Sequence, residues 1–240
     1  MQNSSYSIED CGVYRESFYD IGIPVYIFES HNQALPAWGT VCSRIGEPLN
    51  LITFDTHNDT RAPFNKIICE NGGNPDDGIK SSMIVRELGK YRYWADDFDF
   101  EDVLKLSYQI ENDEHIKTAY DFGYLKSYCV IHREDADGFE NYDNRLGYQC
   151  KYFDSVGIDW EWLNCIEEPI ALDFDLDFFV RRNDFDEVLS RRIQSLIHRA
   201  TVITIAKEES FFEKEKIEAD FSNDEAMKNL VRIIRGCRDS

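Results

Sequence analysis

Positive charge is what this sequence has least of. Its 240 residues carry 26 Lys and Arg against 46 Asp and Glu, a formal net charge of −20. Such a surface repels phosphates, which excludes nucleic acid as a partner. It suits cationic ligands, metal ions or basic substrates, although a solubilising surface is the plainer reading of the same surplus. Long apolar runs are missing as well, and none approaches the ~20 residues of a membrane span. Met1 to Ser5 has neither the basic end nor the apolar stretch of a secretory signal, so a cytoplasmic location and no membrane partner are expected. The seven cysteines include no Cys-x-x-Cys pair, which argues against a disulfide framework or zinc knuckle and for free thiols in a reducing compartment. Histidines number five, none adjacent to another. With no repeat and no low-complexity linker, the chain reads as one domain spanning 1–240.

What is present alternates between strand and helix patterns. Residues 1–20 read as an irregular lead-in. Ile23 to Phe28 is rich in β-branched and aromatic residues and reads as a strand. A helix follows, with Asn32 as N-cap, Pro36 in the first turn and Gly46 as its stop. Its apolar positions Leu35, Trp38, Val41, Cys42 and Ile45 recur at helical spacing. Leu51 to Phe54 is the next strand, so 23–54 forms a βαβ unit with parallel strands. Residues 70–80 read as a loop, 79–124 as largely helical with an acidic interruption at 96–102, and 133–145 as an acidic loop. Tyr128 to Ile131, Ile170 to Phe179 and Val202 to Ala206 read as strands; Asn183 to Ala200 and Asp224 to Arg235 read as amphipathic helices. The pattern is α/β with a mainly parallel sheet, whose ligand sites lie beyond the carboxyl ends of its strands.

Chemistry gathers at those ends. Asp55, His57 and Asp59 alternate directly after a strand, so they converge if the extended geometry continues through them. A solvated acidic turn is the other reading, since Asp and Asn favour turns. Asp173, Asp175 and Asp177 alternate with Phe174, Leu176 and Phe178. Three carboxylates on one strand face make sense beside a cation, or on a solvated edge strand. His31, Asp55, His57, Asp59, Asp175 and Asp177 together make two histidines and four carboxylates, with no cysteine. That is too many for one tetrahedral zinc and suits two bridged metal ions, with Mn²⁺ favoured by the oxygen-rich set.

Asp55-x-His57-x-Asp59, the upstream His31 and Phe174-Asp175-x-Asp177 resemble the metal motifs of the ureohydrolase, or arginase-like, superfamily. Val25 to Asn32 and Leu172 to Phe179 are similar to the branch that includes peptide arginases, which convert arginine side chains of ribosomal peptides to ornithine. The resemblance implies a three-layer αβα fold and two Mn²⁺ ions. One would be held by His31, Asp55, Asp59 and Asp175, the other by His57, Asp55, Asp175 and Asp177, with Asp55 and Asp175 shared. Asp173 falls where arginases carry a serine, so it would lie behind the ligands; a shift to Asp173 and Asp175 as the ligand pair stays open. The implied reaction is hydrolysis of a guanidinium group to an amine and urea, with Asp59 orienting the attacking water. His115 is the candidate proton shuttle, or else a surface histidine at a helix start. Glu208 as a catalytic guanidinium holder and Glu209 as a substrate contact are placed at the end of a late strand, or else belong to a solvated charge run. Arg61 stands where arginases that act on free arginine have an asparagine touching the α-carboxylate. A substrate-binding Arg61 and an arginine-containing precursor peptide as partner fit that departure; so does an Arg61 paired with the acidic surface. A metal-dependent deacetylase is the alternative within the superfamily, though those enzymes have an adjacent His-His pair. A non-catalytic, metal-stabilised peptide-binding protein is the alternative outside it.

Overall fold

The protein is described by a computed structural model covering residues 14–16, 22–61, 63–70, 98–133, 150–154 and 157–236. The loop expected at 70–80 beyond Glu70, the helical stretch before residue 98 and the acidic loop from residue 134 lie outside the described residues.

A seven-stranded sheet forms the middle layer. Its strands are β1 (Tyr14–Glu16), β2 (Val25–Phe28), β3 (Leu49–Phe54), β4 (Leu125–His132), β5 (Cys150–Asp154), β6 (Ile170–Asp175) and β7 (Ala200–Ala206), in the order β1-β2-β7-β6-β3-β4-β5. Among the described strands only β1 runs antiparallel, and the other neighbouring pairs are parallel. The lead-in is therefore not wholly irregular, because Tyr14–Glu16 pairs with Val25–Ile27. β5 is a second strand that the sequence patterns did not single out.

Both faces of the sheet are covered, which is why its strands read as near-continuous apolar runs. On one side α1 (Ala34–Ile45), α2 (Asn65–Glu70), α3 (Phe100–Ser107) and α4 (His115–Asp121) help build a layer in which Leu35, Trp38 and Val41 pack with Leu51, Tyr128 and Val202. On the other, α5 (Trp160–Asn164), α6 (Glu187–Ile197), α7 (Glu209–Glu215) and α8 (Asn223–Gly236) surround Ile52, Phe54, Leu172, Phe174 and Ile203. Alternate residues of β3 and β6 thus serve opposite cores, as period-2 geometry requires.

Several boundaries differ from expectation for local reasons. A 3-10 turn at His31–Gln33 precedes α1, so Gln33 and not Asn32 holds the N-cap position. Gly46 ends α1 in the left-handed conformation, φ 79°. Asp99 caps α3 by accepting from the Asp102 N–H, so the acidic run there is partly a helix start. β6 stops at Asp175, and Leu176–Phe178 winds into a 3-10 turn. It lies between β7 and β3, in the middle of the sheet, which removes the edge-strand reading of its carboxylates.

This topology positions the site. β2, β7, β6 and β3 are adjacent and parallel, and their carboxyl ends lead into His31, Glu208, Asp175 and Asp55. β3 follows β2 in the chain yet lies three places away, so the crevice between diverging connections opens above these four strands.

Candidate metal centre

The first strand end delivers His31 as a fully buried imidazole. Its Nδ1 lies 3.3 Å from Asp55 Oδ2, 3.1 Å from Asp59 Oδ2 and 3.2 Å from Asp175 Oδ2. Three carboxylates cannot share one imidazole proton, yet their spacing suits a common cation. A second group adjoins it: His57 Nδ1 lies 3.1 Å from Asp177 Oδ2 and 3.8 Å from Asp55 Oδ1. In both groups, His31–Asp55–Asp175 and Asp55–His57–Asp177, one ligand atom per residue falls within 4.8 Å of the others.

Convergence is achieved by turns, not by continued strand. After Phe54 the chain leaves the sheet, and Asp55 Oδ1 accepts the His57 N–H at 2.7 Å. Asp59 then adopts φ 47°, a left-handed conformation that Asp tolerates better than most residues. Asp175 Oδ1 likewise accepts the Asp177 N–H at 3.1 Å. The extended alternation read through Asp59 and through Asp177 is corrected on both counts, although the residues do meet.

Burial makes this cluster unstable as bare charge. Asp55 is pushed up to about 8, by burial first and by the charge of Asp59 next. Asp59 rises to about 6, mainly through burial, and Asp175 is raised well above the usual range by burial and by Asp177. His57 rises to about 10, chiefly because the Asp177 carboxylate lies against its ring. Burial alone would lower His31, but Asp173 and the carboxylates around Nδ1 outweigh it and raise it well above 6.5. Carboxylates that retain protons beside histidines that gain them are short of a cation. His31 Nδ1, Asp55 Oδ2 and Asp177 Oδ2 are all buried without a hydrogen-bond partner, and all belong to these two groups. The donor set and its orphaned atoms fit one or two divalent ions.

Asp173 stands apart. Its Oδ2 lies 2.7 Å from His31 Nε2, on the far side of the ring from the carboxylate cluster, and it accepts hydroxyl protons from Thr53 and Thr204. With these partners it is held below the usual carboxylate range despite complete burial.

A cavity of about 410 Å³ opens onto the cluster, lined by His57, Asp59, Glu111, Asn112, Asp113, Glu208 and Phe211. Glu208 is 5% exposed; its Oε1 accepts the His31 N–H at 2.9 Å and the Asn112 amide. Burial pushes it up to about 6. Its backbone is left-handed at φ 40°, a costly geometry for Glu of the kind that collects at functional sites. Glu209 instead starts α7 on the exposed side, with its N–H on Glu29, and does not line the cavity.

His115 departs from the surface reading. It is fully buried, so it is not a surface histidine, and it is absent from the cavity wall. Its ring packs 4.2 Å from that of His31 and 5.4 Å from Trp38, and its Nδ1 faces the Asn112 carbonyl at 2.7 Å. Burial, aided by the charge of His31, lowers it to about 3. A proton shuttle needs a path to the leaving group, and the route from this ring to the cavity runs by Asp59, whose Oδ2 lies 3.4 Å from His115 Nδ1. Arg61 is half exposed at the rim, with Nη1 3.3 Å from both Glu111 and Asp113.

The rim and the ligand loop are tied together. Ile116 N–H donates to the Asp59 carbonyl at 3.2 Å and Arg61 N–H to that of Asp113 at 2.9 Å. The Glu114 carboxylate receives the N–H groups of Phe64 and Asn65, each at 2.9 Å. Glu111, Asn112, Asp113 and Phe211 were not singled out from the sequence as cavity residues. Only the acidic density of 111–114 hinted at them.

No protein-family model matches the sequence, and no curated protein matches it. Solved structures do. A proclavaminate amidino hydrolase from Streptomyces clavuligerus superposes with a TM-score of 0.50 at 12% identity, covering 88% of this chain and 62% of that one. The fold is arginase-like. A hypothetical agmatinase from Burkholderia thailandensis (TM-score 0.47, 14% identity) and an arginase from Medicago truncatula (0.48, 11%) also match, each covering 88% of this chain and 58% of theirs. The chain thus spans about three fifths of the length of these structures.

Proposed function

We propose that this chain is a metal-dependent hydrolase of guanidinium groups, with two Mn²⁺ ions as its cofactor and an arginine residue within a peptide as its substrate. The observation that carries the reading is the pair of carboxylate–imidazole groups, buried except for the half-exposed His57, with their orphaned ligand atoms at the floor of an acidic cavity. His31, Asp55, Asp59 and Asp175 would hold one ion; Asp55, His57, Asp175 and Asp177 would hold the other. When bound, such ions would make a nearby water more acidic and neutralise developing charge.

The residues themselves account for the remainder. Glu208, buried and facing the cavity, offers a carboxylate to the planar guanidinium, a pairing that favours bidentate contact. Asp59 lines the same wall and can orient the attacking water and carry its proton. The water oxygen adds to the guanidinium carbon, the carbon bond to the side-chain nitrogen breaks, and that nitrogen takes the proton to leave as the amine of ornithine beside urea. Two features support a peptide over free arginine. No described cavity-lining residue is Lys or Arg, so a free α-carboxylate would meet Glu111 and Asp113. Arg61, a cation at the rim, is engaged by those same two acids.

The test is direct. Mn²⁺-loaded protein is offered free arginine, agmatine and an arginine-containing peptide, with urea and peptide mass followed. Urea from the peptide alone supports the proposal. Urea from free arginine alone reassigns the substrate, and urea from none refutes the hydrolase reading.

A further inference from the structure

We propose that Asp173 is a positioning residue that locks His31 as the Nε2–H tautomer, aims its Nδ1 lone pair into the carboxylate ring, and so sets the affinity of one ion of the pair. This rests on the metal reading above. Asp173 sits in β6 directly opposite Thr53 on β3 and Thr204 on β7, one row across three adjacent parallel strands. All three are fully buried.

One proton direction in that row is set from outside it. The indole of Trp38, on α1, can only donate, and it donates to Thr204 Oγ1 at 3.2 Å. The one hydroxyl proton of Thr204 is therefore free to point at Asp173 Oδ1. Thr53 Oγ1 donates to Oδ2 at 2.7 Å. Asp173 is an acceptor in each contact and has no proton to offer. The 2.7 Å contact with His31 Nε2 must then carry its proton on the ring. An imidazole protonated at Nε2 has its lone pair at Nδ1, the atom that lies 3.1–3.3 Å from Asp55, Asp59 and Asp175 and has no hydrogen-bond partner.

A serine, which either donates or accepts, would leave the tautomer undecided. A buried carboxylate decides it and makes Nδ1 a stronger donor to a metal. Burying that carboxylate is unfavourable in isolation, and three hydrogen bonds offset the cost. His57 has no comparable partner in the row, so the effect belongs to one ion only.

The experiment is a Mn²⁺ titration of wild-type, Asp173→Asn and Asp173→Ser proteins, with folding checked by circular dichroism. The wild type is expected to take up two ions. Each variant is expected to weaken one ion by about 10–100-fold while leaving the other near its wild-type affinity. Unchanged affinity for both ions, or equal loss of both, overturns the role of Asp173 while the metal reading stands. A wild type that binds no ion overturns both. If the variants fail to fold, histidine ¹⁵N spectra of the zinc-loaded wild type decide. One imidazole protonated at Nε2 and ligating through Nδ1, assigned to His31, supports the proposal; His31 protonated at Nδ1 refutes it.

Discussion

Glu208→Gln separates holding a substrate from holding a metal. Glu208 Oε1 accepts the His31 N–H and the Asn112 amide, and glutamine keeps an oxygen that can do the same. What disappears is the charge. A buried guanidinium that loses its ionic partner is destabilised by about 3–5 kcal/mol. Here Asp59, Glu111 and Asp113 remain on the cavity wall, so the lower end applies. About 3 kcal/mol corresponds to a loss on the order of 100-fold in kcat/KM. Urea release from the peptide substrate measures it, alongside bound Mn²⁺ by elemental analysis. Expected are a large drop in kcat/KM and unchanged metal content for Gln. Glu208→Ala, which also frees the His31 N–H, should lose metal as well. An E208Q enzyme with wild-type kcat/KM would refute the assignment of the guanidinium to this carboxylate.

Asp175→Asn should abolish binding of the metal pair, because Asp175 faces His31 Nδ1 and abuts Asp177; undiminished stoichiometry would show the ligand set to be wrong. Metal uptake should depend on pH. Asp55 and Asp59 are raised to about 8 and about 6, so a binding ion must displace their protons, and Mn²⁺ affinity should fall as pH drops from 8.5 to 5.5. By linkage, raised carboxyl groups stabilise the metal-free fold below their unfolded pKa and lose that contribution as pH rises through the folded values. Added Mn²⁺ should therefore raise Tm more at pH 8 than at pH 6, and a pH-independent increment would contradict this. Arg61→Ala should change kcat/KM for the peptide by less than about threefold, since its half-exposed pairs with Glu111 and Asp113 are weak contacts; a tenfold loss would mean that Arg61 binds substrate. Gly39→Ala should cost about 1–3 kcal/mol in thermal denaturation, because a Cβ there would lie 2.9 Å from Phe98 Cδ2 and 3.1 Å from Tyr124.

Strand ends and their ligands were legible because two signals coincide, β-branched apolar runs and the carboxylates that follow them. Yet the alternation that drew attention to Asp55, His57 and Asp59 was not the geometry that unites them. Asx-type turns and a left-handed Asp59 do so, and a short Asp-rich segment looks the same in either conformation. His115 carried the opposite ambiguity. Acidic neighbours made it look solvated, while the packing of Trp38 and His31 against it, set by chain segments far apart in sequence, buries it. The row Thr53–Asp173–Thr204 depends on strand register between β3, β6 and β7, which no local pattern encodes. Glu208 and Glu209 were indistinguishable as neighbours in a charge run. One left-handed residue at the end of β7 sends the first inward and the second to the surface.

The hydrogen bonds that cross from Asp59, Arg61, Phe64 and Asn65 to residues 111–116 have a thermodynamic consequence. If the amides at positions 61, 64, 65 and 116 open as one unit, their hydrogen exchange should slow together when metal is added. Anything that steadies Asp59 also steadies Glu111 and Asp113 at the mouth. Such coupling is reciprocal: if occupancy at the floor improves the fit at the mouth, a substrate seated at the mouth must tighten the hold on the ions by the same factor.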